Sequence, residues 1–132
     1  MQQSEYIPDN HDLYRRALPI QCSKRTGRLT AAAFKLRKTE DKLSVNWSKY
    51  TTPEETSVDP NPIFRGRILF VGAIEAKIPR EQDLEVKHTP SQCNPAHSSI
   101  RGQNLIDFPL LIADILSENC RTLITPTEHS NL

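Results

Sequence analysis

The sequence predicts a single α+β domain: a mostly antiparallel sheet, one main C-terminal helix and one or two short helical turns. Three observations lead there. Short segments alternate apolar and polar residues with the period of a half-buried strand. One stretch near the C-terminus carries a helical apolar stripe. Only that stretch is long enough to cross between parallel strands, so hairpin-type antiparallel pairing is the simpler arrangement. A chain of 132 residues suits one domain.

The elements follow in order. Residues 1–10 are polar and acidic and read as a flexible lead-in to a domain over 11–124. Leu13 to Ile20 reads as a first strand, closed by the turn-prone Ser23-Lys24-Arg25-Thr26-Gly27. Leu29 to Leu36 is a second strand or a short helix, its three alanines fitting either. Lys42 to Tyr50 is the clearest strand, with Leu43, Val45 and Trp47 on one face and Ser44, Asn46 and Ser48 on the other. Thr52-Pro53-Glu54-Glu55 starts a helix, with Thr52 as N-cap, Pro53 at the first helical position and Glu55 as the reciprocal cap. Asp59-Pro60-Asn61-Pro62 cuts it short. Ile68 to Ile74 is apolar on both faces and reads as a covered central strand, and Pro79 to Asp83 as one helical turn.

In the next segment Leu84, Val86 and His88 share the inward phase. After a proline-rich loop, Ala96, Ser98 and Ile100 point inward, with His97, Ser99 and Arg101 on the opposite face. Asp107 is the N-cap expected for the main helix, whose stripe is Phe108, Leu111, Ile112, Ile115 and Leu116, all assigned to the core. Residues 125–132 read as a frayed tail.

Composition excludes several classes. No apolar run reaches the length of a membrane span. The first residues lack the basic start and apolar stretch of a secretory signal, so a cytoplasmic setting is expected. Three widely spaced cysteines, Cys22, Cys93 and Cys120, suggest free thiols rather than a disulfide framework. The net charge is +1, yet the eight basic residues between Arg15 and Lys38 are accompanied by no acidic one. A protein or nucleic-acid partner through segment 15–38 is one reading of that bias. A solvated face balanced by the acidic remainder is the other.

The densest chemistry lies in Leu84 to Gly102. His88, Cys93 and His97 are zinc-type ligands, but paired ligands at short spacing are missing, so neither a metal nor any other cofactor is implied. Arg15, Arg16, Ser44, Asn46, His88, His97 and Arg101 would form an acid–base or nucleotide site if the strands bring them together. Arginine clamps phosphate, and histidine moves protons. No phosphate-binding glycine loop or nucleophile elbow is present.

Leu13-Tyr14-Arg15-Arg16, the GRLTAAAF run at Gly27–Phe34, Leu43-Ser44-Val45 and the NPAHSSI run at Asn94–Ile100 occur in that order. In this the chain resembles a group of small bacterial proteins to which no activity is assigned. The resemblance implies a bacterial cytosolic protein. It singles out Arg15, Arg16, Ser44 and His97 without giving them roles.

Two functions compete. The leading expectation is a small binding or accessory module acting through a protein or nucleic-acid partner, with Arg15, Arg16, Arg28, Arg101 and Asn46 as binding residues. The alternative is a compact nucleotide-handling transferase or hydrolase with an ADP-ribosyltransferase-like site, for which His97, His88 and Ser44 are the catalytic candidates. An enzyme requires a concavity joining a histidine to an arginine and to Ser44 or Asn46. A binding module would disperse them.

Overall fold

In a computed structural model, residues 3–126 are described. Six strands form one antiparallel sheet: β1 (Asp12–Ala17), β2 (Lys42–Trp47), β3 (Phe70–Glu75), β4 (Glu85–His88), β5 (His97–Arg101) and β6 (Arg121–Ile124), in the spatial order β4-β5-β2-β1-β3-β6. Four α-helical segments join them: α1 (Pro53–Thr56), α2 (Lys77–Glu81), α3 (Gln103–Asp107) and α4 (Pro109–Glu118). Among the described residues α4 is the main helix, and no helix is long and apolar enough to cross a membrane. The predicted α+β domain is the fold observed.

The two faces of the sheet differ. Leu13, Leu43, Val45, Trp47, Phe70, Ile74, Val86 and Ile100 meet Phe34, Ile112 and Leu116 in the main core. There α4 packs on a 3-10 turn at Ala31–Phe34, started by Thr30, whose hydroxyl accepts the Ala32 N–H. On the opposite face a smaller apolar cluster, Tyr14, Val71 and Ala73 with Ile124, lies under α1. The expected cap holds α1: Thr52 Oγ1 accepts the Glu55 N–H at 3.1 Å. Beyond this cluster the β2–β5–β4 side of the same face is polar.

Ladder lengths decide where a site can form. β1 pairs with β3 at every position from Asp12↔Glu75 to Ala17↔Phe70, and β2 pairs with β5 from Lys42↔Arg101 to Asn46↔His97. Between β1 and β2, however, only Leu13↔Trp47 and Tyr14↔Asn46 are paired. Past Tyr14 the two central strands part.

Several expected elements shift. β1 ends at Ala17 rather than Ile20, because Leu18 leads into a 3-10 turn at Pro19–Gln21. β3 begins at Phe70 and lies next to the edge strand, with Ile68 half exposed before it. The helical stripe is split. Asp107 does not cap α4; it closes α3 and accepts a hydrogen bond from Gln103 Nε2 at 2.9 Å. Phe108 is the joint between the helices. Ile112 and Leu116 are buried as expected, but Phe108 and Leu111 are 54% and 57% exposed, beside exposed Ile106 and Leu110. Where a flexible lead-in was expected, Ile7 is fully buried in the core, and Ser4 and Glu5 bond to His88. Of the expected frayed tail, residues 127–132 lie outside the described residues.

Candidate functional site

The parting of β1 and β2 leaves the Ser44 carbonyl without the backbone donor a continued ladder would supply. Arg15 takes its place. Its NH1 donates to Ser44 O at 2.7 Å, and its Nε donates to Ala33 O at 2.8 Å. Arg15 shares the inward phase of Leu13 and Ala17, so its guanidinium is enclosed between the strands and the 3-10 turn. Burial lowers its pKa from the usual arginine value, Glu40 opposes this, and the charges of Arg37 and Arg16 add to it.

The gap opens into a cleft of about 250 Å³ lined by Arg15, Arg16, Gln21, Arg37, Glu40, Ser44 and Asp59, with Phe64 and Leu69 as apolar wall. Arg16 is anchored on α1 and the loop behind it: Nε donates to Thr56 O at 2.6 Å, and NH1 pairs with Asp59 at 3.0 Å. Arg37 is exposed and forms no ion pair among the described residues. Three guanidinium groups thus face two carboxylates.

Ser44 joins the cleft to the polar face. Its side chain is exposed, and its Oγ lies 3.4 Å from His97 Nε2. His97 Nδ1 sits 2.8 Å from Thr89 Oγ1 and 3.1 Å from the Thr89 carbonyl. The carbonyl only accepts, so the tautomer that satisfies both oxygens carries its proton on Nδ1 and turns the Nε2 lone pair to Ser44. His97 is not part of the cleft lining; it stands behind Ser44. Trp47 N–H donates to Ala96 O, so by antiparallel alternation Ser44↔Ser99 and Asn46↔His97 are non-hydrogen-bonded pairs, where side chains come closest. Ser99 Oγ is buried there without a hydrogen-bond partner.

Asn46 is spent on structure. It accepts from Asn94 Nδ2 at 3.0 Å, donates to Thr56 Oγ1 at 3.3 Å, and so ties the loop before β5 to α1. Arg101 pairs with Glu85 at 3.4 Å on the far side of the polar face. Arg28 is exposed in the turn after Cys22 and does not line the cleft.

His88 lies on the inward face, 2% exposed, and belongs to another assembly. Its Nδ1 accepts the Glu5 N–H at 3.1 Å, and its Nε2–H donates to Pro95 O at 2.8 Å. The ring stacks on Tyr50 and meets Trp47 edge-on. Trp47 in turn donates to His11 Nδ1 at 3.1 Å. A groove of about 580 Å³ runs along β4 past this corner, but both His88 nitrogens are occupied by backbone partners. No three His, Cys, Asp or Glu side chains among the described residues gather as a metal-ligand set. Cys93 is exposed in the loop, with the two histidines on opposite faces of the hairpin.

The structure therefore joins Arg15, Arg16 and Ser44 in one concavity with His97 behind it, and leaves His88, Asn46, Arg28 and Arg101 outside. No family model, curated protein or solved structure matches this chain. The roles of these residues rest on geometry alone.

Sequence reasoning missed Thr89, which orients His97, together with Arg37 and Glu40 in the cleft. One signal was present: an arginine in the inward phase of a strand, between Leu13 and Ala17, is costly to bury unless something holds it.

Proposed function

We propose that the protein binds the phosphate group of a small phosphate-bearing molecule in the arginine cleft. The convergence of Arg15, Arg16 and Arg37 on one concavity is the observation that carries this reading. Guanidinium groups pair with phosphate in bidentate fashion, and two of these are already held by backbone carbonyls, so little side-chain entropy remains to be lost on binding. The volume limits the ligand. Pockets that enclose drug-sized molecules hold about 300–1,000 Å³. A cleft of about 250 Å³ accommodates a phosphate and a sugar-sized fragment, and leaves the base of a nucleotide outside. Three free thiols, two of them buried, suit a reducing cytosol.

Titration with inorganic phosphate and with a ribose phosphate, followed by amide NMR shifts, tests the proposal. Saturable shifts should centre on Arg15, Arg16 and Ser44, and Arg37→Gln should weaken binding about tenfold, equivalent to about 1.4 kcal/mol. Shifts confined to another surface, or none at all, would overturn it.

A protein or nucleic-acid partner through residues 15–38 is the second reading. It is favoured by Lys24, Arg25, Arg28, Lys35, Arg37 and Lys38, all exposed and none in an ion pair among the described residues. Nucleic-acid binding of this kind would weaken steeply between 50 and 200 mM salt, by about 10³-fold if some six phosphates were contacted.

A further inference from the structure

We infer that Ser44 is a nucleophile with His97 as its general base, so that the cleft turns over the phosphate ester it holds. The substrate class rests on the phosphate reading above; the pairing of Ser44 with His97 does not.

The geometry has the parts an activated serine requires. Ser44 is exposed and is one of the residues that line the cleft. The base lies 3.4 Å away, longer than a tight hydrogen bond, as is common before a ligand tightens a site. A third group, Thr89, fixes the tautomer that leaves Nε2 free to accept a proton. The strand carrying the nucleophile is pinned by the Arg15 hydrogen bond to Ser44 O, so the hydroxyl sits on rigid backbone rather than on a mobile loop. Arg15, Arg16 and Arg37 line the same cleft as Ser44 and supply the positive charge that stabilises a phosphoryl group in transfer.

The step balances without a further reactant than water. Ser44 Oγ attacks phosphorus and passes its proton to His97 Nε2. The ester P–O bond breaks on the side opposite Ser44, and the departing alkoxide takes its proton from solvent water, leaving hydroxide. Water then attacks the phosphoserine from that same side and gives its proton to the hydroxide in solvent, while the His97 imidazolium returns its proton to Ser44 Oγ as inorganic phosphate is released. The sum is hydrolysis of a phosphate monoester.

A fluorophosphonate probe tests the serine independently of the substrate. With the full chain, the Ser44 Oγ–P bond forms, the P–F bond breaks, fluoride leaves and His97 takes the proton. Peptide mass spectrometry should place the label on Ser44. His97→Gln should slow labelling about 100-fold while circular dichroism stays unchanged. Added imidazole should restore labelling in His97→Ala, which a purely structural role for the ring would not allow. Absence of label on Ser44 in the natural sequence, or a labelling rate indifferent to His97→Gln, overturns the inference. The phosphate titration separates the two readings. Phosphate binding without Ser44 labelling removes catalysis and keeps the clamp. Labelling without phosphate binding keeps the nucleophile and removes the substrate class.

Discussion

His88 and His97 flank the loop of one hairpin, and their surroundings differ throughout. His88 faces the core, packed between Trp47 and Tyr50, with both ring nitrogens bonded to backbone groups. His97 faces the polar side, half-buried, with one nitrogen held by Thr89 and the other turned to an exposed hydroxyl. The same side chain is a structural brace in one place and, on the inference drawn above, a general base in the other. What separates them is strand phase. His88 stands opposite Ser98, so His97, one residue before Ser98, must face the other way.

Core truncation sets the scale against which this contrast can be broken. Ile112→Ala on the buried side of α4 should cost about 3 kcal/mol, within the usual range for such deletions, and lower the melting temperature by many degrees. A negligible shift in calorimetry would mean that α4 is not docked on the sheet.

His88→Ala should come close to that. It leaves the Glu5 N–H and the Pro95 carbonyl unpaired and empties the space between two aromatic rings, a combined loss of about 2–3 kcal/mol. His97→Ala should cost less than about 1 kcal/mol, as expected for a partly exposed position. Parallel urea melts decide it. If His97→Ala were the more damaging, the two histidines would have exchanged roles.

The smallest effect sharpens the comparison without perturbing it. The Cys22 thiol is pushed up to about 11, by burial first and by the neighbouring Cys120 second. Cys120 reaches about 11, with burial again the main cause. A raised value keeps both as unreactive thiols at pH 8, since only the thiolate attacks. Cys93, exposed in the loop between the histidines, is the accessible one. Ellman's reagent at pH 8 should find one fast thiol per chain and two that react only on unfolding. The modified protein should keep its melting temperature within about 1 °C, because a solvated loop contributes little to stability. Two or three fast thiols would show that the sheet does not cover Cys22 and Cys120.

The phases of β2, β4 and β5 were legible in the sequence because their inward faces are largely apolar. Leu43-Val45-Trp47, Leu84-Val86-His88 and Ala96-Ser98-Ile100 all fell on the predicted side. Those runs fixed the orientation of both histidines and of Ser44. The cleft was not legible, since it depends on where two paired strands stop pairing, and no local pattern in β1 or β2 announces that. The helical stripe misled for a related reason. Periodicity says which residues share a helix face, not how wide a face the sheet can cover. Phe108 and Leu111 carry the helical phase, but the sheet reaches only Ile112, Ala113 and Leu116. β6 was missed because Arg-Thr-Leu-Ile is short, and what holds it is β3 beside it.

β1 is the first strand in the chain and a central one in the sheet, and that placement governs how the molecule assembles. Arg15 sits opposite Gly72 on one side, and Leu13 opposite Trp47 on the other, so even β2, the next strand in the chain, is joined to β1 by a long connection, and β3 lies farther still. The strand must wait, unpaired, until distant segments arrive, and the entropy of closing those long loops is spent before the contacts form. Folding should therefore proceed over milliseconds to seconds rather than microseconds. The single tryptophan, Trp47, lies at the junction of β1 and β2 and against His88, so its fluorescence reports the moment the centre of the sheet closes.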